Sequence, residues 1–329
     1  MRRLWHVIAV FCISAAILTG CGSGPRLMMG TGSPAGTYSA FGSVLARYMT
    51  EYAGCRVTAV PTDASKANIQ SMEDGDYQLA LAQSDVLQYA WEGGRSFEED
   101  GASRAFRVLG GLYEETVQLV TTDSRIRTVE DLRGHTVSVG APGSGVSFNA
   151  LDILEVAGLS LEDIEPQYLD FEKSREALLD GTVDGAFIVA GTPTGVVEEM
   201  AAESALETGI YLVPVDGGLR EDLLKICPFY APSVIPAGTY AGQEEAVETI
   251  SVKAALIVRA DMPEEDVYRL TAAVFDHAEE IAREHGAGAE LSVQNAAEGI
   301  GVPFHAGAAR YYSEHGVKVG TADAEEEEP

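Results

Sequence analysis

Gly30-Thr31-Gly32-Ser33-Pro34-Ala35-Gly36-Thr37 follows the apolar run Leu27-Met28-Met29 and leads into a helical pattern from about Tyr38 to Tyr52. The same order returns later in the chain. Thr136-Val137-Ser138-Val139 meets Gly140-Ala141-Pro142-Gly143-Ser144-Gly145, and a second helical pattern runs from Val146 to Val156. Downstream, a helix, Asp74-Gly75 and the strand-like Tyr77-Gln78-Leu79-Ala80-Leu81-Ala82 are echoed by a helix, Asp180-Gly181 and Val183-Asp184-Gly185-Ala186-Phe187-Ile188-Val189. Gly30 and Gly75 are 45 positions apart and Gly140 and Gly181 are 41 apart, so spacing agrees as well as order. Two similar α/β lobes are the simplest reading, each presenting a glycine-rich loop and a helix N-terminus to something small between them.

Strands are predicted at about 27–30, 56–61, 77–82, 107–112, 116–121, 136–140, 184–189, 210–215 and 249–258 from short β-rich runs and alternation. Helices are predicted at 38–52, 65–73, 84–92, 146–157, 172–179, 194–203 and 263–285, where apolar residues recur at i, i+3, i+4 spacing. Strands alternating with helices imply mainly parallel sheets covered on both faces. Glu115 to Thr121 and Thr249 to Arg259 differ: they are β-branched segments that bracket the second copy of the repeat, where two connections between lobes would form a hinge. On this reading lobe 1 is 26–118 with 259–320, and lobe 2 is 119–258. Residues 321–329 are expected to be an acidic disordered tail.

The 329 residues, 46% of them hydrophobic, suffice for two cored domains. Residues 1–20 read as an export signal, Arg2-Arg3 before the apolar stretch Leu4 to Leu18. Leu18-Thr19-Gly20-Cys21 also fits a bacterial lipobox, in which the Cys21 thiol is acylated and becomes a membrane anchor; a plain cleaved signal or a membrane span are the alternatives. Each places the folded part outside the cytoplasm. The formal charge is −29, and losing Arg2 and Arg3 makes it about −31, which argues against nucleic acid or an anionic membrane surface as a partner. Cys55 and Cys227 would then be the remaining thiols. A disulfide between lobes and two small buried residues are both open, and a bridge would hamper lobe motion.

The loop Gly30 to Thr37 lets the backbone turn sharply beside unpaired helix N–H groups, which suits a carboxylate or phosphate. The second loop, Ala141 to Ser147, adds the hydroxyls of Ser144 and Ser147 and would face the first across a cleft. Polar residues after predicted strands are the next candidates: Thr62, Ser65 and Asn68; Gln83, Ser84 and Asp85; Gly191, Thr192 and Pro193. Thr62, Ser65, Ser84 and Thr192 could equally cap helices. Catalytic patterns are thin. Ser144 lacks the flanks of a nucleophile elbow, no Walker loop follows either glycine turn, and the histidines (6, 135, 277, 285, 305, 315) show no metal spacing. No cofactor, metal or catalytic residue is expected, and the chain is expected to be a monomer.

These stretches, in this order, resemble the TAXI-type solute-binding subunits of TRAP (tripartite ATP-independent periplasmic) transporters. The matching words begin with Gly30 to Tyr38, Pro61 to Asn68 and Ala80 to Asp85. They continue through Leu132 to Gly134, Val137 to Gly145, Asp180 to Phe187, Ile235 to Tyr240 and Pro303 to Tyr312. The resemblance implies an α/β, two-lobed periplasmic-binding-protein fold, class II-like, with two hinge-crossing strands. It implies an extracytoplasmic receptor that is not an enzyme and closes on a small organic anion, such as glutamate, a related amino acid or a dicarboxylate, for an ion-gradient-driven permease. Carried over position by position, the pocket would draw on Gly32, Ser33 and Tyr38; Thr62, Ser65 and Asn68; Gln83 and Ser84; Ser144, Gly145, Val146 and Ser147; and Gly191, Thr192 and Pro193. Two departures bear on the ligand: Asp63-Ala64 stands where glycine is usual, and Val146 where threonine is usual. No arginine sits at these positions, so amides and hydroxyls would hold the anion. The alternatives are a receptor for an ABC importer or a sensor system, and an exported hydrolase using Ser144, which requires a base near that hydroxyl.

Overall fold

Two strands run through both halves of the molecule and organise everything else. The computed structural model describes residues 24–204 and 209–322; the expected export signal, Cys21 and the acidic end of the tail lie outside the described residues. In chain order the first half is β1 (Arg26–Gly30), α1 (Thr37–Tyr52), β2 (Arg56–Val60), α2 (Ser65–Glu73), β3 (Leu79–Gln83) and α3 (Ser84–Glu92). The first long strand, β4 (Phe106–Thr121), leads to β5 (Thr136–Ser138), α4 (Gly145–Val156), β6 (Glu165–Gln167), α5 (Phe171–Leu179), β7 (Gly185–Ala190) and α6 (Gly195–Ser204). Then come β8 (Tyr211–Val213), α7 (Gly217–Ile226), β9 (Ala231–Ile235) and the second long strand β10 (Val247–Arg259). α8 (Glu264–Phe275), α9 (Ala278–Glu284) and α10 (Ala306–Glu314) close the chain.

The strands form one mixed, curled sheet in the order β2-β1-β3-β10-β4-β7-β5-β6, with β8 beside β4 and β9 beside β10. Pairing is parallel within each copy of the repeat (β1 with β2 and β3; β5 with β6 and β7) and antiparallel wherever β4 or β10 takes part. The expectation of mainly parallel sheets therefore holds inside each half, and the crossing strands make the whole sheet mixed.

Three apolar clusters follow. The first gathers β1 to β3, α1 and α8 to α10 around Met29, Phe41, Leu45, Leu81, Leu256 and Tyr312. On α1, Phe41, Leu45, Tyr48 and Met49 are buried, the one-sided stripe that makes this segment a covering helix. The other two clusters lie on opposite faces of β7: Phe187 and Val189 go to one, Ile188 and Ala190 to the other, as the two-residue period of a strand requires. Core membership passes from the first half to the second between Tyr113 and Val117 on β4, and back between Val252 and Ala254 on β10.

Several elements differ from expectation. The two predicted strands at 107–112 and 116–121 are one sixteen-residue strand, because Gly110-Gly111 stays extended instead of turning. A side chain on Gly110 would run into Tyr312 Oη and into Phe275 Cζ at 2.8 Å, so glycine here lets two aromatic rings pack on the strand. The single helix predicted at 263–285 breaks at Asp276-His277, where His277 leaves the helical region at ψ 19. β6, β9 and α7 are not among the expected elements; β6 and β9 each carry a proline, Pro166 and Pro232. Thr321 pairs with Phe304, so order extends into the first residue assigned to the tail. Cys55 and Cys227 are both free thiols, which closes the disulfide alternative. Among the described residues no helix is long and apolar enough to cross a membrane.

Gly110→Ala is expected to cost about 1–3 kcal/mol of stability through this overpacking, read as a lower urea midpoint with an unchanged slope.

Candidate functional site

Parallel strands that end at one level deliver their following loops to one place, and here both copies of the repeat deliver to the same cleft. β1 ends at Gly30 and its loop reaches Gly36, the residue before α1, which no side chain caps. β2 ends at Val60 and its loop reaches Ala64 before α2, likewise without a side-chain cap. β5 leads to Ser144, whose Oγ accepts from Ser147 N at 3.3 Å at the start of α4. The three helix N-termini open onto one cavity of ≈ 120 Å³ between the halves. That is on the order of a cavity that admits a single benzene ring, about 150 Å³.

Gly32, Ser33, Tyr38, Thr62, Ser65, Gln83, Ser144, Gly145 and Val146 all line this cavity, drawn from four separate loops. The remaining expected positions do not reach its wall, and their contacts give the reason. Asn68 is fully buried and braces two loops against β3: its Nδ2 donates to Thr31 O at 2.8 Å and Leu81 O at 2.7 Å, and its Oδ1 accepts from the Thr62 hydroxyl at 2.8 Å. Ser84 Oγ accepts from Lys253 N at 3.2 Å, tying α3 to β10. Ser147 sits in a neighbouring groove with Lys66 and Gly143. Gly191 packs against Thr37 and the Tyr113 ring, both at 3.4 Å from where a side chain would start. Thr192 and Pro193 follow it beyond the wall, and the Thr192 hydroxyl is buried without a partner. Of the expected caps, Ser65 Oγ accepts from Gln83 N at 3.1 Å and joins two segments, and neither α2 nor α3 has a side-chain cap; Ser144 does cap α4.

Sequence reasoning missed most of the carboxylates. Glu115, Asp63 and Asp170 line the cavity together with Thr37 and Phe171, and none of the described lining residues is Lys, Arg or His. Glu115 comes from β4 at the crossing point, opposite Val252 of β10. Its neighbour Glu114 points the other way, as consecutive strand residues must, and meets Lys253 Nζ at 2.5 Å and Ser251 Oγ at 2.8 Å. Glu115 has no such cation. It is 3% exposed, and its Oε2 accepts from Tyr38 Oη at 2.7 Å. Burial pushes its carboxyl up to about 8, against the hydrogen bonds from Tyr38 and Gln83, which favour the ionised form. Asp170 differs: although burial opposes it, the Lys173 N–H and ammonium hold it below the usual carboxylate range. The signal for Glu115 was a charged pair inside an apolar strand predicted to cross between lobes.

Gln83 stands between the two ends of the site. Its Oε1 is buried without a hydrogen-bond partner, pressed on the Gly145 backbone where any side chain would collide with it. Across the cleft Lys66 N donates to Gly143 O at 3.2 Å and Gly36 packs on Phe171, so the two halves are closed on each other. Ser144 Oγ donates to Ala141 O at 2.7 Å. Among the described residues no group of three or more His, Cys, Asp or Glu side chains is placed to hold a metal ion.

The residue pattern of the NMT1-like family matches residues 29–316. Two solved structures resemble this one throughout. The alkanesulfonate-binding protein SsuA from Xanthomonas axonopodis pv. citri, bound to MOPS, is 19% identical with a TM-score of 0.51 over 88% of this chain and 84% of that one. A binding protein component of an ABC phosphonate transporter from Pseudomonas aeruginosa is 12% identical with a TM-score of 0.52 over 80% of this chain and 79% of that one. The architecture is that of the periplasmic binding proteins.

Ala64 holds φ +68, a region that favours glycine, at the position where the sequence departed from the glycine-bearing pattern. Ala64→Gly is expected to stabilise the protein by about 1 kcal/mol, the relieved strain exceeding glycine's larger unfolded-state entropy, as read from the denaturation midpoint.

Proposed function

This chain belongs to the NMT1-like family, and from that premise we propose that it is an extracytoplasmic solute receptor that closes on a small amino acid and hands it to a membrane transporter. The observation that carries the reading is the pair Glu114 and Glu115: one has Lys253 as its counter-ion, while the other faces a cavity whose described lining supplies no cation. A ligand with both a carboxylate and an ammonium group completes both ends. The carboxylate meets the uncapped starts of α1 and α2 with the hydroxyls of Ser33, Thr62, Ser65 and Ser144 near it, where N–H groups and helix dipoles favour negative charge. The ammonium meets Glu115 and draws its carboxyl back to the ionised form. Within the set of small organic anions, this favours an amino acid over a plain dicarboxylate.

Residues 26–118 with 259–320 would move as one lobe and 119–258 as the other, bending where β4 and β10 change cores. The matched structures of alkanesulfonate and phosphonate receptors support an ATP-driven ABC importer as the partner. The motif words shared with TAXI proteins support an ion-coupled TRAP permease, the second reading. A hydrolase reading gains nothing from a Ser144 hydroxyl engaged with Ala141 O at the head of a helix.

Matched pairs test the ligand: L-glutamate against 2-oxoglutarate and L-leucine against its 2-oxo acid, with succinate, in thermal-shift and calorimetric titrations. An amino acid is expected to raise the melting temperature by mass action and to bind at least about tenfold more tightly than its 2-oxo acid. Glu115→Gln is expected to erase that difference. Binding of the 2-oxo acids or succinate alone would remove the ammonium from the reading, and no response to any carboxylate would remove the receptor.

Anchoring is the further part of the proposal. Expressed with its signal in a bacterium, the chain is expected to incorporate labelled fatty acid and sediment with membranes, and Cys21→Ser to do neither.

A further inference from the structure

Behind the cavity, α3 of one half faces α4 of the other, and two fully buried polar side chains meet there. Asn149 Nδ2 donates to Asp85 Oδ2 at 2.7 Å and to Tyr230 Oη at 2.9 Å. The two oxygens left over, Asp85 Oδ1 and Asn149 Oδ1, are both buried without a hydrogen-bond partner. While Asp85 is ionised both are acceptors, and neither can serve the other. A proton on Asp85 Oδ1 turns it into a donor for Asn149 Oδ1, which closes a two-bond ring between acid and amide and removes both orphans at once.

We propose that Asp85 and Asn149 form a protonated acid–amide latch across the cleft, so that closing the two halves takes up a proton from solvent. The surroundings fit a neutral Asp85. The guanidinium of this cluster, Arg95, pairs with Asp152 at 2.8 Å and Glu155 at 3.1 Å. Asp152 also accepts from Tyr89 Oη at 2.8 Å and Tyr230 Oη at 3.0 Å, contacts that with Arg95 oppose the rise that burial imposes on its carboxyl. Asp85 instead faces Asp152 and Tyr230 across the cleft, Glu115 and Tyr38 from the cavity side, and Tyr89 and Cys227 behind. Burial pushes its carboxyl up to about 7, with Asp152 adding to the rise and the Val86 N–H and Asn149 opposing it.

The sign follows directly. With the halves apart Asp85 is solvated and titrates near the ordinary value of about 4; closed, it holds its proton to higher pH. The latch therefore contributes fully below about pH 4 and is lost as pH rises through about 7. Between about pH 6 and pH 8 the closure constant falls by about tenfold on its account.

The test uses the purified, ligand-free protein and so stands apart from the identity of the ligand. Small-angle scattering from about pH 5 to about pH 8 should show the radius of gyration of the wild type increasing. Asp85→Asn substitutes an N–H for the acid O–H and keeps the ring neutral, so its opening should lack the Asp85 contribution, about tenfold less change in closure between pH 6 and pH 8. Glu115→Gln, which removes the raised carboxyl on the cavity side, should retain it. Independently of shape, infrared difference spectra taken in the Glu115→Gln background, which removes that carboxyl's own band, should contain a protonated-carboxyl carbonyl band that titrates near neutral pH and is absent when Asp85→Asn is added. A wild-type shape constant over this range, an Asp85→Asn variant that opens as the wild type does, or no such band overturns the latch.

Discussion

The antiparallel pairing of β4 with β10 is the constraint on which the rest of this molecule hangs. Each strand contributes to a core in both halves, and their shared ladder runs from Phe106 opposite Arg259 to Thr116 opposite Ser251. Backbone hydrogen bonds along such a ladder hold the strands in register while allowing them to twist, so the two halves are joined firmly without being fused. The site sits at the point of transfer. Glu115 lies on the crossing segment itself, which makes the electrostatics of the cavity part of the hinge.

The cavity is polarised. On one side converge the starts of α1, α2 and α4, with amides and small hydroxyls and few side chains to block them; on the other are a buried carboxylate and a phenol that supports it. Neither end is balanced by the residues described there. Asn68 and Ser84, although outside the wall, explain why the polarised arrangement can be held: each commits its polar atoms to neighbouring backbone and fixes the loops that do line the site. In a chain this acidic, contact-range dipoles decide what enters, because more distant charges are screened.

The acids near the cleft are met in different ways. Glu114 is met by Lys253, Asp152 by Arg95 and two tyrosines, and Asp85 by the Asn149 amide. Glu115 faces the cavity with the Tyr38 phenol. Four acids in one neighbourhood thus have four different partners, and the differences arise from which side of a strand or helix each one faces.

The sequence by itself determined the duplicated strand, glycine loop and helix, the two crossing segments, and the loops that would meet. Each is a local property: glycines that permit sharp turns, apolar spacing that distinguishes helix from strand, and the order in which these recur. Hence Gly32, Ser33, Thr62, Ser65 and Ser144 could be named before any coordinates. Only the tertiary structure decided which polar residues of those loops face inward, since Asn68, Ser84 and Ser147 carry the same chemistry as their neighbours and differ only in direction. It alone brought Glu115 beside Tyr38 and Gln83, and Asp85 against Asn149, because the residues of each meeting are distant in the chain and approach only when β4 and β10 fold the halves together.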